Sequence, residues 1–185
     1  MKLLLHTCCG PCAISCIESL VETDMKPTLF FFNPNIHPYL EFEKRIVSLQ
    51  KVASIQDCSL IVRGAYGLRD FLAATSNPDD DRCYSCYRMR LEQTARFAYE
   101  NEYSHISTTL LISPYQKHDA IIAAGTDMAQ KYGVSFLYRD FRPYFRAGQQ
   151  KARELELYMQ SYCGCIYSEG ERYEKRAEKF LRGLA

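Results

Sequence analysis

Three cysteines stand within five residues in the stretch His6-Thr7-Cys8-Cys9-Gly10-Pro11-Cys12. The apolar run Leu3-Leu4-Leu5 precedes it, and residues 13–21 follow with apolar side chains at helical spacing. Strand, tight loop and helix in this order predict the start of a doubly wound α/β domain, where ligands bind between a strand's carboxyl end and the next helix. A chain that binds nucleotides usually places glycines at that turn. Here thiols stand there, and backbone N–H groups at a helix start favour negative charge, which stabilises thiolates. The loop therefore points to a metal or to redox chemistry.

The rest of the chain continues the alternation. Residues 27–32 read as a buried strand that ends in the rigid loop Asn33-Pro34-Asn35-Ile36-His37-Pro38. A helix over 39–55 would present Leu40, Ile46, Val47, Leu49 and Val52 inward, and a third strand covers 58–62. Residues 64–75 are mixed, and the acidic loop Ser76-Asn77-Pro78-Asp79-Asp80-Asp81 reads as solvated. A long helix from Arg82 to about Asn101 places Cys83, Cys86, Tyr87, Arg90, Leu91, Thr94 and Ala98 on one face. A fourth strand over 103–111, a helix from Ser113-Pro114 to Gly133, a fifth strand over 134–138 and helices over 149–159 and 169–184 complete the pattern. The expected class is α/β. Residues 1–185 would form a single domain, a three-layer α/β/α sandwich with a mostly parallel, Rossmann-like five-stranded sheet.

Charge and targeting narrow the function classes. A net charge of +1 argues against a strongly basic nucleic-acid binder, though a local basic patch remains compatible with it. Leu3–Leu5 is too short for a signal peptide core, and no apolar run reaches the roughly 20 residues of a membrane helix. A cytoplasmic protein with reduced thiols is expected, so nine cysteines point to metal or catalysis before disulfides. Seven of them form three groups: Cys8, Cys9 and Cys12; Cys83 and Cys86; Cys163 and Cys165. Four thiolates suit zinc or an iron–sulfur cluster. Seven exceed the need of one zinc, which leaves thiols for a second metal or a redox pair. Cys163-Gly164-Cys165 suits the redox role, because the glycine eases a turn between two close sulfurs. Cys16 and Cys58 read as core residues.

Together these stretches resemble the QueH family of epoxyqueuosine reductases. The resemblance rests on His6–Cys12, on Asn33–Pro38, and on Arg82-Cys83-Tyr84-Ser85-Cys86-Tyr87 with Arg90-Leu91 and Thr94-Ala95. It extends through Thr108-Thr109-Leu110, Ser113-Pro114, Asp140-Phe141, Tyr158-Met159-Gln160 and Tyr162-Cys163-Gly164-Cys165. Gly10 is one departure, at a position where alanine is expected more often. The resemblance implies an oxidoreductase that removes the epoxide oxygen of epoxyqueuosine in the tRNA anticodon without cobalamin, drawing on an unnamed electron donor. It also implies a [4Fe–4S] cluster on Cys8, Cys9, Cys83 and Cys86. Cys163 and Cys165 become the catalytic redox pair or the ligands of a second iron, with Cys12 as an additional metal ligand.

Deoxygenating an epoxide takes two electrons and two protons, and a metal would serve as a Lewis acid at the oxygen. His6, His37, Asp81, Tyr84, Tyr87 and Tyr162 lie near the cysteine groups as proton-donor candidates. Residues 138–153 interleave aromatics with five basic residues against the single acid Asp140, which suits stacking on unpaired bases and holding phosphates. His37, Arg139, Arg142 and Arg146 are the substrate-binding candidates. The terminal helix, with acids and bases balanced, reads as a solvated face. Two rival classes make different demands on the sequence. A nucleotide-dependent sulfur-transfer enzyme would need a glycine- and serine-rich phosphate loop where Pro11 removes an N–H donor. A zinc-stabilised RNA-binding module would leave Cys163 and Cys165 dispensable.

Overall fold

Leu3, Leu4 and Leu5 are fully buried because their strand lies in the middle of a sheet covered on both faces. The structure, a computed structural model, describes residues 1–77 and 81–184. The acidic residues Asp79 and Asp80 of the loop read as solvated lie outside the described residues. In chain order the elements are β1 (Leu3–His6), α1 (Gly10–Val21), β2 (Thr28–Phe31), α2 (Tyr39–Ile55), β3 (Leu60–Val62), α3 (Leu68–Ala74) and α4 (Arg82–Glu100). Then follow β4 (His105–Thr108), α5 (His118–Tyr132), β5 (Ser135–Phe136), α6 (Phe145–Glu154) and α7 (Ile166–Arg182). Single 3-10 turns occupy Thr109–Ile112 and Arg142–Tyr144.

The strand order is β3-β2-β1-β4-β5 and every pairing is parallel, so the expected mostly parallel sheet is wholly parallel. Helices α1, α2 and α6 pack together in one layer, and α3, α4 and α5 in the other. This is the three-layer α/β/α sandwich. The order of strands reverses between β1 and β4, which opens a crevice beyond their carboxyl ends. Cys8 and Cys9 follow β1 and Thr109 follows β4, so the thiol loop sits at that crevice. Among the described residues no helix is long and apolar enough to cross a membrane.

Several boundaries differ from the sequence reading, each for a local reason. The fourth strand stops at Thr108 because its Oγ1 accepts a hydrogen bond from Leu110 N at 3.2 Å and starts a 3-10 turn. Helix α5 begins at His118 rather than at Ser113-Pro114. Helix α7 begins at Ile166, before Glu169, because the sulfur of Cys165 caps it by accepting from Ser168 N. Helix α6 runs from Phe145 to Glu154, four residues ahead of the expected start.

The largest correction concerns α2. Leu40 and Val47, read as core, are 62% and 59% exposed, whereas Glu41, Arg45 and Ser48 are buried with Leu49, Val52 and Ala53. The Arg45–Glu41 ion pair (2.7 Å) takes part of the inward face and leaves Leu40 and Val47 outside, while Leu49 and Val52 are buried and Ile46 packs against the core as expected. Ser48 faces α1 so closely that a Cβ on Gly10 would lie 2.4 Å from its Oγ and 2.7 Å from its backbone oxygen. Glycine is therefore required at position 10 by the approach of two helices, which explains the departure from alanine. We expect Gly10→Ala to lower unfolding stability by about 1–3 kcal/mol through forced helix separation. Chemical denaturation of the metal-free protein measures this, and an unchanged midpoint would refute it.

Candidate metal and redox site

Cys9 is the N-cap of α1 in extended conformation, and Pro11 stands in the first turn, where its missing N–H costs nothing. This geometry brings three sulfurs together. Cys8 Sγ and Cys9 Sγ are 3.7 Å apart, and the sulfurs of Cys8, Cys9 and Cys12 all lie within 4.8 Å of one another. Three buried thiols so placed can hold a metal or a cluster. Cys12 and Cys9 both donate toward Cys8, and Arg45 and His6 add favourable charge, so Cys8 is held well below the usual thiol range. Burial pushes Cys9 well above that range.

The second group rides on α4. Asp81 caps the helix by accepting from Cys83 N (2.9 Å) and Tyr84 N (3.4 Å), which fixes Cys83 and Cys86 one turn apart. Burial pushes Cys86 up to about 12; Arg90 opposes this, while Cys163, Cys165 and Cys83 reinforce it. The Cys83–Cys86 pair therefore feels the Cys163–Cys165 pair directly.

Two buried arginines join these groups. Arg45 donates from Nη1 to the Cys163 carbonyl and from Nη2 to the Tyr162 carbonyl, both at 2.9 Å, and its charge also faces Cys9 and Cys8. It thus ties the Cys163 loop to the first cysteine loop. Gly164 has φ +125°, which side chains rarely tolerate, and a Cβ there would meet Arg45 Nη1 at 3.0 Å. His37 N donates to the Gly164 carbonyl at 2.7 Å, and Tyr162 donates its hydroxyl proton to the His37 carbonyl. Arg90 is the more telling case. Its Nε donates to the Cys86 carbonyl, its Nη2 finds no acceptor among the described residues, and the titratable groups near its charge are Cys86, Cys163, Cys8 and Tyr87. A buried cation of this kind needs ionised thiols or an anionic group bound to them.

In front of the thiols lies a cavity of about 1000 Å³. Cys8, Cys12 and Cys163 form part of its lining; Gln160 donates to Cys12 Sγ at 3.3 Å and Gln116 to Cys163 Sγ at 3.2 Å. Arg146, Arg153 and Arg172 stand around it with Tyr115 and Phe145, whose rings meet edge-on at 5.9 Å. Among the described residues no carboxylate lines it. The family model described as "Epoxyqueuosine reductase QueH" matches residues 3–171.

The chain belongs to the QueH family. It is 36% identical to "Epoxyqueuosine reductase QueH" of Dehalococcoides mccartyi over 94% of this chain and 96% of that protein. It is 37% identical to the protein of the same name from Thermotoga maritima, over 95% and 94% of the two chains. A solved structure titled as a predicted subunit of tRNA methyltransferase from Methanocaldococcus jannaschii shares the fold. The TM-score is 0.52 at 14% identity, over 83% of this chain and 76% of that one.

In this QueH chain the residues singled out from sequence fall in three places. Cys8, Cys12, Cys163 and Arg146 line the cavity; Cys9 and Cys86 are buried behind it; Cys83 is half-buried and borders a separate recess. Three of the binding candidates point elsewhere. Arg139 donates to Thr23 Oγ1 beyond the end of α1, Arg142 is forked onto Asp140, and the His37 ring packs against Tyr66 and Phe71. The proton-donor candidates are also engaged. His6 Nδ1 is 2.9 Å from Thr108 Oγ1, and burial, then the Arg90 charge, lower its pKa to about 4. Asp81 is held below the usual carboxylate range by Lys117. Sequence reasoning missed Arg45, Arg172 and Gln116 and gave no role to Arg90 and Gln160, which entered through the family resemblance and, for Arg90, through the helical face of Cys83 and Cys86.

Proposed function

We propose that this chain, as an epoxyqueuosine reductase acting on tRNA, holds a [4Fe–4S] cluster on Cys8, Cys9, Cys83 and Cys86. Cys12, Cys163 and Cys165 then stand on the substrate side, as a redox dithiol with a metal-ligating neighbour or as ligands of a second iron. The observation that carries this reading is the cavity, lined by thiols, arginines and aromatics and, among the described residues, by no carboxylate. The orphaned Arg90 supports the fit of the group, since a cluster bound by four thiolates is anionic and would give the buried guanidinium its counter-charge.

When bound, the cluster supplies electrons one at a time. The protein's own groups divide the remaining work. Tyr115 and Phe145 offer aromatic surface to an unpaired base, and Arg146 and Arg153 offer charge to its phosphates. Arg45 holds the Cys163 loop against the first cysteine loop. Cys163 faces the cavity, where a thiol can deliver a proton to the departing epoxide oxygen. Oxidation of Cys163 and Cys165 to one disulfide would release two electrons and two protons, which balances epoxide to alkene plus water. Cys83 borders a recess of about 670 Å³ beside Lys117 and Tyr167, apart from the substrate cavity. An electron donor of the cytoplasm reaching that side would leave the substrate in place.

The test is anaerobic purification with iron and acid-labile sulfide analysis, followed by an assay on tRNA carrying epoxyqueuosine with a chemical reductant. About four iron and four sulfide per chain, or iron in excess by a second site, together with formation of queuosine, is the expected result. A colourless protein with stoichiometric zinc and no turnover would overturn it in favour of a zinc-stabilised RNA-binding module.

A further inference from the structure

Helix α7 buries no residue along its whole length. Its basic residues Arg172, Lys175, Arg176 and Lys179 are spaced i, i+3, i+4 and i+7 and so share one stripe. Two like-charge pairs, Arg172 with Arg176 and Lys175 with Lys179, therefore stand one turn apart, an arrangement that destabilises a helix. Two of the nearby acids are engaged elsewhere. Glu171 pairs with Arg82 of α4 at 2.9 Å, and Glu178 pairs with Arg182 at 3.2 Å. Repulsion left standing on an exposed stripe is what an anionic partner would remove.

The stripe starts at the cavity. Arg172 belongs to the cavity lining with Arg146 and Arg153. From Arg172 to Lys179 the helix rises about 10 Å, so the stripe carries positive charge from a residue of the cavity lining about two turns along α7. We infer that Arg172, Arg176 and Lys179 form a phosphate track that holds the RNA backbone flanking the nucleotide in the cavity. The inference rests on the reading of tRNA as substrate. The residues of the track themselves lie beyond the family match, which ends at residue 171.

An anionic bilayer fits less well. The apolar residues Phe180, Leu181 and Leu184 are exposed, as on a membrane-surface helix. Yet Glu174 lies seven residues before Leu181 and on the same face, so a bilayer engaging that surface would meet a carboxylate at its rim. The RNA backbone needs only the opposite stripe.

The experiment uses the anaerobically loaded full chain and the double variant Arg176→Gln/Lys179→Gln. Both are assayed with whole tRNA carrying epoxyqueuosine and with a short single-stranded oligonucleotide holding the modified nucleotide alone. Losing two phosphate contacts should reduce the slope of log K against log salt by about 2 and raise KM for tRNA about tenfold, with kcat held. The short oligonucleotide should not distinguish the two proteins, and Arg176→Lys/Lys179→Arg should behave as the parent. An unchanged slope and KM in the double variant, with a parent that reduces the tRNA, overturns the track and leaves the reductase standing. A parent that neither binds nor reduces the tRNA removes the reading beneath it, and the track with it. Binding of phosphatidylglycerol vesicles that the double variant loses, with tRNA affinity unaltered, would assign the stripe to a membrane and overturn the inference.

Discussion

Cys83→Ala is expected to emerge from anaerobic reconstitution without its cluster, whereas Cys163→Ala should retain its iron–sulfur cluster and show no turnover. The contrast follows from where the two sulfurs sit. Cys83 is in the first turn of α4, set by the Asp81 cap and paired one turn away with Cys86, behind the cavity. Removing it deprives the proposed cluster of one of four thiolates and leaves α4 contributing a single ligand. Cys163 faces the cavity, takes a hydrogen bond from Gln116 and is carried on a loop that Arg45 and His37 fasten through backbone atoms. Those fastenings do not use the sulfur, so the loop should survive the substitution. Iron and sulfide content with single-turnover formation of queuosine tests both variants together. Loss of the cluster from Cys163→Ala would show that the division between ligands and redox thiols is wrong. A cluster-replete Cys83→Ala would refute it from the other side.

What the sequence disclosed and what it hid divide along one physical line. Short-range patterns were legible. The order of strand, thiol loop and helix at residues 3–21 follows from local periodicity, and so does the buried face of α4 that runs through Cys86, Tyr87, Arg90, Leu91, Thr94 and Ala98. Long-range compensation was not legible. An arginine read in isolation belongs on the surface, and burial becomes affordable only with partners remote in sequence. For Arg45 those partners include, besides the local carboxylate of Glu41, the carbonyls of Tyr162 and Cys163, 117 and 118 residues away. The basic and aromatic segment after β5 shows the same limit. Composition marks it as RNA-facing, yet Asp140 takes Arg142 and Thr23 takes Arg139, while Arg146 and Arg153 reach the cavity from α6. Arg172 was hidden by its helix, whose balanced total charge conceals a one-sided stripe. Sulfur as an N-cap, at Cys165, has no counterpart among the usual capping residues, so the start of α7 was placed late.

Arg90→Met should separate the two states of the protein in opposite directions. In the metal-free chain burial keeps the Cys86 thiol protonated, Arg90 has an Nη2 with no acceptor among the described residues, and a buried charge short of counter-charge costs several kcal/mol. Methionine fills similar space without that cost, and its sulfur suits the ring of Tyr87, over which the guanidinium now stands at 5.5 Å. The metal-free variant should therefore unfold at a higher temperature than the metal-free parent. In the loaded protein the sign reverses. The guanidinium faces Cys86, Cys163 and Cys8, and its loss leaves an anionic site buried without compensation, a change worth about 3–5 kcal/mol when one partner of a buried pair is removed. Loading should thus raise Tm substantially in the parent, by linkage to the bound state, and far less in the variant. Differential scanning calorimetry of both proteins, with and without reconstitution under anaerobic conditions, gives all four values. Equal increments on loading would mean that Arg90 does not balance the charge of the bound group, and that its burial among the thiols serves only the packing of α4.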